Sequence, residues 1–282
     1  MITLNNKTKI ISVFLILTGM IVYGNMSFVY AAEEYPFVKS WGLVGQPLDV
    51  AFDSSGNVYV TDLSGNVNVE KFTKDGNPIK TLGSFTNGSE SQAGIAIDSN
   101  DNVYISVFSG DPFIHKFASN GTLISKFGGP GLGDGKFSSP ASIAIDSSGN
   151  VYATDFGENS RVQKFDSNGN FISKFGSYGT GNGQFSTPLG ISVDRQGNAY
   201  VADYNNNRIE VFDNNENFVT NIGSSGSSNG TFNHPISVKI DSSGQIYVTD
   251  SRNHLLQVFS GGAVPEFGSL APIVLVIAVI SV

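Results

Sequence analysis

The side chains able to carry chemistry are few. Histidine occurs at His115, His234 and His254, and cysteine is absent. Zinc needs ligands converging on one point. His115 falls in an alternating apolar run and is expected to pack internally, while His234 and His254 fall in loops that can share one side of the molecule. The aspartates Asp62, Asp155, Asp203 and Asp250 each close a short apolar run. A ring of such carboxylates would suit Ca²⁺, but an aspartate in that place also accepts N–H groups from the loop after it. The second role is the one expected, with Arg161 and Arg208 pairing locally. Neither a Gly-Xaa-Ser-Xaa-Gly strand-to-helix turn nor a phosphate-cradling loop is present. No catalytic residue, metal or cofactor is assigned on these grounds.

Composition narrows the classes further. Net charge is -8, charged residues make up 14% and there are 33 glycines. Nucleic-acid affinity rests on Lys and Arg neutralising phosphates, so an acidic chain argues against that partner. Abundant Gly, Ser and Asn suit many tight turns. Without cysteine, stability must come from packing and hydrogen bonds.

The elements that position these residues come from a repeat of about 47 residues. Five segments align: Pro47-LDVAFDSSGNVYVTD, Ala93-GIAIDSNDNVYISV, Pro140-ASIAIDSSGNVYATD, Pro188-LGISVDRQGNAYVAD and Pro235-ISVKIDSSGQIYVTD. A shorter run ending in Phe72, Phe117, Phe165, Phe212 or Phe259 follows each, and the first four units add a fourth run. Four alternating runs between turn signals predict a four-stranded antiparallel meander. In the first turn, Asp146 to Asn150, Gly149 supplies the positive φ of a hairpin; in one third turn Glu216 takes the place of glycine.

One such sheet cannot bury both faces, but sheets set radially cover one another. The expectation is an all-β propeller of four-stranded antiparallel blades, five in number, with six as the alternative. The fifth unit lacks its last strand. Phe37-Val-Lys-Ser-Trp41-Gly42 aligns with Phe171-Ile-Ser-Lys-Phe175-Gly176, so an N-terminal strand is expected to close the last blade.

The stretch from Val151 to Pro188 resembles an NHL repeat, as does AYVADYNNNRIEVF. The resemblance runs from Phe37 to Phe259 and implies a recognition platform, usually of six blades. A minority of relatives are enzymes, and amidating lyases with this fold use histidine-bound zinc. The second unit departs most, with Val107 at the Asp position and Phe113 at the Arg position.

The ends read differently. Lys7, Lys9 and the apolar run Ile10 to Tyr23, then Val29-Tyr30-Ala31, form a secretory signal over 1–31 with cleavage after Ala31. The propeller is expected over 35–260. Over 261–282, Pro265, Glu266, Phe267 and Gly268 precede an apolar run and are similar to PEFG-type archaeal sorting signals, though no basic end follows. Secretion and retention at the cell surface, with membrane contact only through this tail, are the expectation. Asn87, Asn120 and Asn229 sit in glycosylation triplets.

The first and third turns are nearly uniform between units, whereas the second loops and the crossovers vary. A rigid scaffold that varies its loops on one side places specificity there. Phe108, Asp111, Phe113, Phe156, Glu158, Tyr204 and Arg252 are therefore the candidate contacts for a protein or glycan. The competing reading is an extracytoplasmic metal-dependent lyase or hydrolase working near the central channel.

Overall fold

The computed structural model describes residues 46–63, 67–85, 94–107 and 112–260. These belong to a compact unit, Trp41–Val282; the other unit, Met1–Ser40, lies outside the described residues. So do the N-terminal strand proposed for closure (but for Trp41 and Gly42 also outside that unit), Ala31, and the whole tail with Pro265 to Gly268.

Among the described residues nineteen strands form five antiparallel sheets, each a meander in chain order. Blade 1 holds β1 (Gln46–Phe52), β2 (Val58–Leu63), β3 (Val67–Phe72) and β4 (Pro78–Phe85). Blade 2 holds β5 (Ile95–Ile97), β6 (Val103–Ser106), β7 (Phe113–Phe117) and β8 (Leu123–Gly128). Blade 3 holds β9 (Pro140–Ile145), β10 (Val151–Asp155), β11 (Arg161–Phe165) and β12 (Phe171–Phe175). Blade 4 holds β13 (Pro188–Val193), β14 (Ala199–Asp203), β15 (Arg208–Phe212) and β16 (Phe218–Ile222). Blade 5 has three described strands, β17 (Pro235–Ile240), β18 (Ile246–Asp250) and β19 (Leu255–Phe259). The five-bladed propeller expected from the repeat count is the fold observed.

Each first turn is held by its own aspartate. Asp146 Oδ1 accepts the N–H groups of Ser148 and Asn150, and its Oδ2 accepts from Asn150 Nδ2 at 2.8 Å. The aspartates Asp53, Asp98, Asp194 and Asp241 repeat the backbone part of this arrangement. The glycine of these turns has positive φ; where it is missing, Asp101 (φ 60°) in the first turn of blade 2 adopts the same conformation, as Glu216 (φ 68°) does in the third turn of blade 4. The turn therefore dictates the backbone, and the residue complies at a cost of about 1 kcal/mol.

Packing lies between the blades. In the inner strand of blade 3, Ile143 joins the cluster with blade 2 while its neighbour Ala144 joins the cluster with blade 4. The small residue makes room for Ile191 of the next inner strand. Four such clusters fill the seams 1–2, 2–3, 3–4 and 4–5. Phe137, Phe185 and Phe232 plug the last three from the crossovers, fully buried. Gly176 (φ 82°) is required beside its plug, because a Cβ there would lie 2.2 Å from the Phe185 ring.

Candidate functional site

The inner strands run from the variable side to the uniform side. Near its variable end the inner strand of blades 1, 3, 4 and 5 bends at a bulge, the register slipping between Pro47 and Asp49, between Pro140 and Ile143, between Pro188 and Ile191, and between Pro235 and Ser237. A hydroxyl from the second strand fills the gap, Thr154 Oγ1 accepting from Ser142 N–H at 3.0 Å. That hydroxyl also reaches the next blade, donating to the Leu189 carbonyl at 2.7 Å; Ser106 donates likewise to the Ala141 carbonyl at 2.9 Å. Gly94 and Gly190 allow neighbouring inner strands to approach so closely that a Cβ would meet the next backbone at 2.8 and 2.7 Å.

These bulges line a cavity of about 260 Å³ at the variable end, to which all five blades contribute. Pro47, Leu48, Ala141, Leu189 and Ile236 give it apolar walls, while Ser142, Ser237 and Asp49 are its polar side chains. Asp49 Oδ2 accepts from Ile95 N–H at 3.1 Å, and Lys239 Nζ stands 3.9 Å from Oδ1. Sequence reasoning missed this rim. The signal was present, since Asp49 is the one charged residue in a column otherwise Gly94, Ser142, Gly190 and Ser237. A second cavity, about 290 Å³, opens at the uniform end among the turns of blades 2 to 4.

The repeated strand-end aspartates have loop duties. Asp155 Oδ1 accepts from the N–H groups of Ser138 and Ser139, both at 2.8 Å, and Oδ2 faces Arg161 Nε at 3.2 Å. Asp203 treats Ser186, Thr187 and Arg208 in the same way, and Asp250 accepts from Asn233 N–H. Among the described residues no group of three His, Asp or Glu side chains converges as a metal site would require. His115 is buried with its ring between Phe113 and Phe117. The histidines thus do not fit the zinc site that the lyase resemblance implies.

His234 is distinctive in another way. It stands where the other crossovers have Ser139 and Thr187, directly before a proline, with φ 60°. Proline disfavours helical backbone in the residue before it, and positive φ adds strain. Both backbone groups of His234 are held: its N–H donates to Asn207 Oδ1 at 2.8 Å, and its carbonyl accepts from Ser251 Oγ at 2.6 Å. The imidazole meets the Tyr204 ring edge-on, centroids 4.5 Å apart. Burial, and then the neighbouring Arg252 guanidinium, lower its pKa, so it favours the neutral form near pH 7.

Of the residues singled out in the sequence, Tyr204 and Arg252 are brought together around His234. Arg252 is exposed and its N–H donates to the Asn233 carbonyl at 3.1 Å. Phe156 donates its N–H to the Ser139 carbonyl beside the third crossover, and Glu158 is exposed in the same loop. Phe113 instead packs within blade 2, under Lys126 Nζ at 4.2 Å from its centroid. Phe108 and Asp111 lie outside the described residues, as does Asn87. Asn120 and Asn229 are exposed, and Asn120 Oδ1 accepts from Thr122 N–H at 2.9 Å.

Four segments match the NHL repeat: 45–72, 137–165, 185–212 and 232–259. The unmatched unit is blade 2, where Val107 and Phe113 replace the Asp and Arg that pair in blades 3 and 4. None of the curated proteins matches the chain. Among solved structures, a virginiamycin B lyase from Staphylococcus aureus is similar in fold at 16% identity and TM-score 0.54, covering 76% of this chain and 69% of its own. A nidogen/laminin complex is similar at 17% identity and TM-score 0.58, over 77% and 76%. An auxiliary nutrient binding protein from Bacteroides thetaiotaomicron is similar at 12% identity and TM-score 0.59, over 75% and 58%. At these identities the likeness is one of fold.

Proposed function

We propose that the chain is a binding module that presents its variable loop face to a protein or glycan, exported and retained at the cell surface through its two terminal segments. The observation that carries the reading is His234. A strained residue persists only where its surroundings over-determine it, and such places cluster at functional sites. Here Asn207 and Ser251 fix the strained backbone, and the result sets an imidazole and a tyrosine beside an exposed arginine. Tyrosine and arginine are the side chains most often dominant in recognition. The apolar mouth of the channel opens on the same side and extends the surface available to a partner.

Fold neighbours include a lyase and a protein from a nidogen/laminin complex, so likeness favours neither chemistry nor binding. Binding is preferred because, among the described residues, no three His, Asp or Glu side chains converge on a metal position. The test is capture of surface proteins and arrayed glycans by the full chain and by a Tyr204→Ala/Arg252→Ala double variant. Loss of at least about tenfold in affinity is expected, since each truncated anchor commonly costs more than 1 kcal/mol. Unchanged capture by the double variant would sink the proposal. Stoichiometric Zn²⁺ or Ca²⁺ in the purified protein would instead favour the lyase or hydrolase reading.

A further inference from the structure

Two positions before the closing phenylalanine of each third strand stand Glu70, His115, Gln163, Glu210 and Gln257. In blades 3 and 5 the glutamine at this position is a tie for the crossover. Gln163 Oε1 accepts from Gly135 N–H at 2.9 Å and its Nε2 donates to the Lys136 carbonyl at 2.7 Å. Gln257 does the same with Gly230, at 2.8 Å, and Thr231, at 2.7 Å. An amide suits the task because it carries both an acceptor and a donor.

Blade 4 has a carboxyl group in that place. Glu210 is completely buried, and the Gly183 N–H is directed to its carboxyl group as the Gly135 N–H is to Gln163. Arg208 Nη2 lies 2.7 Å from Oε1, but it directs its two hydrogens to the carbonyls of Gly181 and Gln184, at 2.7 and 2.6 Å. Asn221, the register partner of Glu210 on β16, has its Oδ1 buried and unsatisfied. A carboxylate thus supplies only acceptors where Gln163 supplies both an acceptor and a donor. One proton on Glu210 would supply the missing donor.

We propose that Glu210 is a proton-dependent latch: as a neutral acid it imitates Gln163 and donates to the Gln184 carbonyl, and on ionisation it lets the fourth crossover, 176–187, loosen. The charged groups acting on it are Arg208, from its own strand, and Asp203, from β14. Burial is the largest influence and raises the carboxyl pKa; Arg208 opposes it and Asp203 reinforces it, leaving a value of about 7. With the folded value above the ordinary 4.5, the latch contributes its full stability below pH 4.5 and loses it as pH rises through about 7. Gly181 and Gln184 belong to the variable side, so ionisation is also expected to tune partner binding. That consequence rests on the binding proposal; the latch itself does not.

The experiment uses the full chain and follows amide hydrogen exchange, corrected for intrinsic rate, at pH 6 and pH 8. Protection of the Gln184 and Phe185 amides should fall by about tenfold at pH 8, one pH unit above the titration. Glu210→Gln should keep its protection at both pH values. The reciprocal Gln163→Glu should confer the same pH response on the third crossover, and it decides the matter if Glu210→Gln fails to fold. A Glu210 carboxyl titrating below pH 5 by ¹³C NMR would overturn the proposal. So would a pH response that survives in Glu210→Gln, or none in Gln163→Glu. Since exchange is read without a partner, failure of the latch leaves the binding proposal standing, and the reverse also holds.

Discussion

Blade 5 has two faces built from the same repeat columns, and they end in opposite states. Towards blade 4, Val238 is 0% exposed and packs with Phe232, Ile246 and Val248 against Tyr200, Ile209 and Val211. Away from it, Leu256 and Val258 are 63% and 50% exposed, although their counterparts in blade 4, Ile209 and Val211, are buried. Across this second seam, Val50 and Phe52 of blade 1 are also open, at 45% and 63%. Lys239 Nζ reaches across it to Asp49 Oδ1 at 3.9 Å. An apolar side chain contributes by what covers it, so a repeated sequence does not imply a repeated stability.

Substitutions at matched columns can break or sharpen that contrast. The largest effect is expected from Ile209→Lys, which places a charge in the packed seam and should cost at least about 4 kcal/mol in denaturant titration. Leu256→Lys, in the same column on the open face, should stay within about 0.5 kcal/mol; a large loss there would show that this face is covered. Next comes Gly223→Ala, whose Cβ would lie 2.3 Å from the Phe232 plug at φ 76°. Strain and overpacking together predict a loss of roughly 2–5 kcal/mol, against about 1–2 for Gly244→Ala, which has open space and only the backbone strain. Val238→Ala should lose about 2 kcal/mol and Val50→Ala well under 1, both read from urea midpoints. Smallest is Lys239→Ala. The lysine side chain is largely exposed, so its removal should change stability by less than about 0.5 kcal/mol. A salt-dependent loss beyond that would make the ion pair a true clasp.

Much of this was legible before any coordinates. Alternation located the strands, and the aspartate turns set their hairpins. The absence of a fourth described strand in blade 5 follows the gap seen after Phe259. What could not be read was context. Val50 and Val238 occupy one column, and only the neighbouring blade decides which is covered. At the candidate site, Tyr204 and Arg252 were legible as variable loop residues, whereas the approach of Lys126 and Gly129 to Phe113, from β8 and the chain just after it, was not. The strain at His234 was invisible, since a histidine before proline does not declare its φ. Glu210 was hidden for a different reason: a carboxylate in an alternating strand looks solvent-facing until Gly183 and Gln184 close over it.

The hydroxyl links from Ser106 to Ala141 and from Thr154 to Leu189 each tie a blade to the one after it. Blade 4 has Ala202 at that position and offers no such link to blade 5. Under tension applied at the C-terminus, blade 5 should therefore peel first, with one packed seam and no hydroxyl link to resist. Each blade released would lengthen the chain by roughly 160 Å, at about 3.3–3.6 Å per residue. The propeller would then extend stepwise under load, with its weakest joint beside the last blade.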